Sequence, residues 1–230
     1  MDPISAIPIQ TFAQYNGQFS APAFKLLNNV VVLYENLIGH LKRHGASVGS
    51  LKYEVGIGDF SQANINCTIL NFNAIVKLRL EAIEISFHNL AAVGEELAFQ
   101  VINDAWKAAK DSYEPLILVE HTMTVTSHLR LIDVGYDELL RNFVKMPEGL
   151  SGATKSGVVF YLGEESASGL KKGNILLDQS LAVPGQLSTL VSLTFDATKV
   201  PPEKLRGAFN GQFKLLMEKV GLVYVAPKEH

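Results

Sequence analysis

A single cysteine, Cys67, among 230 residues leaves no partner for an intrachain disulfide and no pair of thiolates for a metal. Neither sign of charge dominates. The 20 basic and 23 acidic side chains give a net charge of −3, so the chain carries no overall footprint for nucleic acid or an anionic membrane, and neither is expected as a partner. No run approaches the ~20 apolar residues that cross a bilayer. Residues 1–20 lack the basic and apolar regions of a signal peptide. These absences, with thiols scarce as in a reducing compartment, lead to the expectation of a soluble cytoplasmic protein.

Catalytic signatures are missing too. There is no Walker loop, dinucleotide fingerprint, nucleophile elbow or pair of Cys-x-x-Cys ligands. No cofactor and no metal is expected, and no residue is assigned a catalytic role. The turn at Gly56, Ile57 and Gly58 is expected to be a bend between strands, because a phosphate-cradling loop would open a helix. His40 and His44 lie four apart, a spacing that could share a metal, but no third ligand is placed beside them. A solvent-facing pair near the negative end of a helix is expected. Cys67 shares a side with Ile65 and Ile69 and is expected to be a buried, unreactive thiol.

What the sequence does contain is periodicity. Leu187, Thr189, Val191, Leu193 and Phe195 alternate with polar residues, which predicts a half-buried strand. Pro201 and Pro202 then open a helix carrying Leu205, Phe209, Phe213, Leu216, Met217 and Val220 on one stripe, stopped by Gly221. Residues 75–110 read as a looser copy. There Ile83, Ile85 and Phe87 lead into a helix with Ala98, Val101, Ile102, Ala105, Trp106 and Ala109 on one side. Both units have a strand ending in Phe, a polar turn and an amphipathic helix.

Taken in order, residues 1–21 are expected to form an irregular arm or edge strand, since Pro3 and Pro8 suit an edge. A helical stripe runs from Leu27 to Leu41 with a stop at Gly45. Strands follow around Tyr53, Cys67 and Val76. The apolar phase then shifts from Leu80 to Ile83, which is read as a bulge near Glu81 and Ala82. Residues 136–144 suggest a short helix and residues 146–157 a Gly- and Ser-rich loop. Strands are expected at 158–162, 175–181 and 222–225.

The expected class is α+β: two similar halves, each of antiparallel strands with amphipathic helices on one face, related by an internal duplication. An arm at 1–21 precedes halves at 22–114 and 115–230, packed as one compact unit. In layout alone this resembles the duplicated strand-helix-strand-strand arrangement of GyrI-like small-molecule-binding domains.

Residues 116–132 read as a single extended segment, too long for an ordinary strand, so a bend, break or overhang is expected. Strict alternation puts Glu120, Thr122, Thr124, Thr126, His128 and Arg130 on one face, and His121, Met123, Val125, Ser127 and Leu129 on the other. The first row is either a solvent-facing side of the sheet or the wall of a ligand or partner surface. An overhang would offer backbone groups to a second copy, so a homodimer is among the expected partners, beside a small molecule or another protein. The functional expectation is a non-catalytic binding or interaction protein holding its ligand between or beside the halves. The alternative is an enzyme of unrecognised family using Glu120, His121 and His128 as acid-base groups.

Overall fold

In the computed structural model, residues 3–56, 59–144 and 157–225 are described. Of the expectations above, the turn residues Ile57 and Gly58 and most of the 146–157 loop lie outside them. The strands are β1 (Ile4–Phe19), β2 (Leu51–Gly56), β3 (Asp59–Ile69), β4 (Ala74–Arg79), β5 (Ala82–Phe87), β6 (Leu118–Leu131), β7 (Val158–Leu162), β8 (Leu170–Gln179), β9 (Leu187–Asp196) and β10 (Leu222–Tyr224). The helices are α1 (Phe24–Asn28), α2 (Val30–Leu41), α3 (Leu90–Val93), α4 (Glu95–Ser112), α5 (Tyr136–Arg141) and α6 (Pro202–Lys219). The class is α+β, with one large sheet in the order β2-β3-β4-β5-β1-β6-β9-β8-β7. Every pair along that path is antiparallel, and β10 adds a short parallel pairing to β1.

Residues 4–19 are therefore neither arm nor edge. They form the centre of the sheet, pairing with β6 from Ala6 to Phe19. On the other side β10 takes Ile4–Ala6 and β5 takes residues 13–18. Between those two neighbours, residues 7–12 have a strand on one side only, and Pro8, with no N–H to donate, falls there. A register shift between Pro8 and Gln10 moves the inward phase from Ile4 and Ala6 to Ala13, Tyr15, Gly17 and Phe19.

The phase change after Leu80 is likewise not a bulge. Leu78 pairs with Ile83 and the chain reverses at Leu80 and Glu81, so one expected strand is the hairpin β4–β5. No Gly or Asn marks this turn. Its carbonyls are held from outside, Leu80 O accepting from Ala23 N–H at 2.6 Å and Glu81 O from Phe19 N–H at 2.8 Å. The segment expected to overhang is also corrected. β6 is paired along Leu118–Leu131 with β1 and along residues 120–129 with β9, so its length spans the middle of the sheet.

A single apolar core lies on one face. Registered residues Cys67, Val76, Ile85, Tyr15, Met123 and Leu193 form a row across the strands, all buried. The helices cover this row with Leu33, Leu37 and Leu41 of α2, Ala98, Ile102 and Ala105 of α4, and Leu205, Phe209 and Leu216 of α6. Cys67 is fully buried here, as its neighbours implied. No described helix is long and apolar enough to cross a membrane.

Candidate functional site

The opposite face of the sheet takes none of the apolar stripe of these helices. Side chains at alternate positions point there, and registered pairing lays them out in rows. One row runs Ser86, Gln14, Thr124, Ser192, Asn174, Tyr161 across β5, β1, β6, β9, β8 and β7. The next runs Glu84, Asn16, Thr122, Thr194, Lys172. The middle of the face is thus built from amides and hydroxyls, with charges towards its margins. A trough of about 250 Å³ lies along its centre, lined by Gln14, Asn16, Gln18, Glu120, Thr122 and Thr124. A second depression of about 400 Å³ lies over β2–β5, with Lys52, Glu54, Asn66, Lys77, Glu84 and His88 in its lining.

All six residues of the expected row, Glu120, Thr122, Thr124, Thr126, His128 and Arg130, project from this face, because β6 alternates strictly. Their partners differ. Thr122 and Thr194 share a hydroxyl hydrogen bond at 2.8 Å, and Thr124 and Ser192 one at 2.9 Å. Each pair holds two O–H groups and uses one between them, which leaves one hydrogen per pair to offer outward. Lys171 Nζ donates to Glu120 Oε2 at 2.8 Å, and that carboxylate holds the Lys171 pKa above its ordinary value. At the far end His128 Nδ1 meets Ser180 Oγ at 2.9 Å, and the ring stands edge-on to Phe12.

The three residues expected to carry acid-base chemistry are not brought together. Glu120 and His128 are separated by eight residues of strand, about 26 Å. His121 points to the other face and is fully buried. Its Nε2–H donates to Val200 O at 2.6 Å and its Nδ1 accepts from Tyr15 Oη at 3.4 Å, so both nitrogens are engaged. Burial lowers its pKa to about 4, against the smaller opposing effects of the Val200 carbonyl and Asp196.

The histidine pair is resolved differently from expectation: His40 lies on α2, and His44 in a 3-10 turn, Lys42–His44, that follows it. His44 is buried, not solvent-facing, and its Nε2 lies 2.7 Å from Asp104 Oδ2 on α4. Arg43 reaches the same oxygen, and His40 meets Asp111 at 2.7 Å. The two imidazoles therefore tie α2 and the turn after it to α4 through separate carboxylates. Among the described residues no group of three His, Cys, Asp or Glu side chains is placed to hold a metal.

Gln14, Asn16 and Gln18 are the residues of this face that the sequence reading missed. They are exposed and, among the described residues, their side chains make no hydrogen bond within the protein. The signal was present in the alternation with Ala13, Tyr15, Gly17 and Phe19, but the prolines upstream had assigned the segment to an arm. Compared with known proteins, the chain matches no family model and no curated protein sequence.

Proposed function

We propose that this is a non-catalytic binding protein whose polar sheet face, centred on β1 and β6, is the surface that takes a protein partner. The observation that carries the reading is the row of exposed amides Gln14, Asn16 and Gln18 with unused hydrogen-bonding capacity, beside the hydroxyl pairs Thr122–Thr194 and Thr124–Ser192. Small-molecule sites are enclosed and mostly apolar, whereas this face is wide, shallow and polar. Its charges are mixed, with Glu84, Glu120 and Asp196 near Lys77, Arg79 and Lys171, which suits a protein surface better than a polyanion. Glu120, His128 and Arg130 would fix orientation at the two ends.

The internal duplication belongs to the same reading: residues 75–110 and 187–220 are two copies of one strand-helix unit. Its support is that α4 and α6 bury their apolar sides on the same face of one sheet, and that β5 and β9 flank β1 and β6 in turn. The test is the double variant Thr124→Lys, Thr126→Lys, purified alongside the parent and compared by solution mass and by retention of co-purifying protein. Loss of an associated mass with the circular dichroism spectrum intact is the expected result. Unchanged mass and retention would overturn the proposal.

A further inference from the structure

On the helix side, one row of the sheet departs from the apolar pattern. Thr11, Ser127 and Thr189 are registered neighbours on β1, β6 and β9. The row beside it is Ala13, Val125 and Val191, and the next is Tyr15, Met123 and Leu193. Ser127 and Thr189 are buried at 0% and 1% exposure. Hydroxyls at such positions lose water and need partners. They find them mainly in one another: Thr11 Oγ1 meets Ser127 Oγ at 3.3 Å, and Thr189 Oγ1 meets Tyr224 Oη at 3.4 Å. Burial raises the pKa of the Tyr224 hydroxyl against the opposing effects of Ser127 and Thr189, so that it stays an O–H group.

Thr11, Ser127 and Tyr224 of this cluster form the polar end of a cavity of about 160 Å³ between α4 and α6, with Ala98, Phe99, Met123, Val125, Phe209 and Phe213 among its apolar walls. It lies beside the stretch of β1 that lacks a second neighbouring strand. The two hydroxyl pairs hold four hydrogens and use two between them, which leaves hydrogens to offer a guest. Among the described lining residues the one charge is Glu95, and it is engaged by Arg206 at 3.1 Å and Asn210 at 2.6 Å. No cation faces the interior among the described lining residues.

We infer that this cavity is a binding site for a small uncharged molecule made of a single apolar ring with one hydroxyl or carbonyl, the ring held between Phe99, Met123 and Phe209 and the polar group set against Ser127 and Tyr224. The volume decides the size, since an apolar protein cavity of roughly 150 Å³ accepts benzene. The wall chemistry decides the charge, because a carboxylate or ammonium group would be desolvated with no partner. The hydroxyl row decides the orientation.

The experiment titrates the purified full chain with phenol, toluene and benzoate, followed by saturation-transfer NMR and calorimetry. Phenol binds saturably, toluene about fivefold more weakly, as expected for the loss of one hydrogen bond, and benzoate does not bind. Ser127→Ala brings phenol down to the affinity of toluene. Ala98→Leu fills the cavity from within, its folding checked by circular dichroism, and Leu90→Trp blocks it from the partly buried rim. Either folded variant abolishes phenol binding. Absence of phenol binding, binding that survives a folded blocking variant, or equal affinity for benzoate would overturn the inference. The Thr124→Lys, Thr126→Lys variant changes the other face and leaves phenol binding intact, so the two proposals stand or fall separately.

Discussion

Tyr15 Oη donates to His121 Nδ1 across 3.4 Å in the middle of the core. The direction is fixed by the far nitrogen. Nε2–H donates to Val200 O at 2.6 Å, so Nδ1 is the acceptor and the ring is neutral. One histidine therefore fastens β1 to β6 and both to the loop that enters α6.

This arrangement makes stability depend on acid. In the folded chain His121 titrates at about 4, against 6.5 when free. A lowered folded pKa means that the stability is fully present above pH 6.5 and is lost as pH falls towards 4, because the unfolded chain takes up the proton first. The loss is about 3 kcal/mol at 1.36 kcal/mol per pKa unit. Urea titrations at half-unit intervals from pH 7 to 4 should show it, and His121→Gln should flatten that part of the profile.

Gly17 makes room for the same hydrogen bond. A Cβ there would lie 2.7 Å from Tyr15 Oη, 2.9 Å from Leu118 Cδ1 and 3.0 Å from Ile83 Cγ2. Gly17→Ala is expected to cost about 1–3 kcal/mol through overpacking. Part of that cost should disappear in the Tyr15→Phe background, where no hydroxyl has to be displaced. A double-mutant cycle by chemical denaturation measures the difference.

The two His–Asp links to α4, one from α2 and one from the turn after it, should be unequal. His44 is 1% exposed at its side chain and Asp104 11%, whereas Asp111 is 56% exposed. Asp104→Ala strips a buried imidazole and Arg43 of their shared acceptor, costing about 1–3 kcal/mol. Asp111→Ala removes a solvent-screened pair and should cost about 0–1 kcal/mol. Thermal melts of the two single variants rank them.

Cys67 should resist thiol reagents until the sheet opens. It is fully buried and burial pushes its thiol up to about 11. Labelling of the native protein should proceed at the rate of unfolding and rise with urea. Fast labelling in buffer would place Cys67 in a region that opens locally.

Local pattern in the sequence went far towards the elements. α4 and α6 followed from their apolar stripes, and β9 from alternation, because those signals lie within ten or twenty neighbouring residues. The errors lie where the deciding partner is distant in sequence. β1 reads as an edge from Pro3 and Pro8, yet β6 and β5 claim it from more than sixty residues away. The β4–β5 turn lacks its own turn residues because Phe19 and Ala23 hold its carbonyls. Of the polar face, the β6 row was legible as a row. That Thr122 and Thr124 would spend a hydroxyl on β9, and that Gln14, Asn16 and Gln18 would stand free beside them, depends on pairings that no local spacing encodes.

The position of β1 sets the order in which the sheet can be assembled. Ile4 faces Leu222, so the first strand is not fully framed until a segment more than two hundred residues later has been made. While the chain is emerging from the ribosome, β1 can pair with β5 early but leaves its β6 side open until residues 118–131 arrive. The closing loops are long and their entropy is spent before the contacts repay it, so folding should be slow and late. During that interval the open side of β1 is an unpaired strand that another nascent chain could claim.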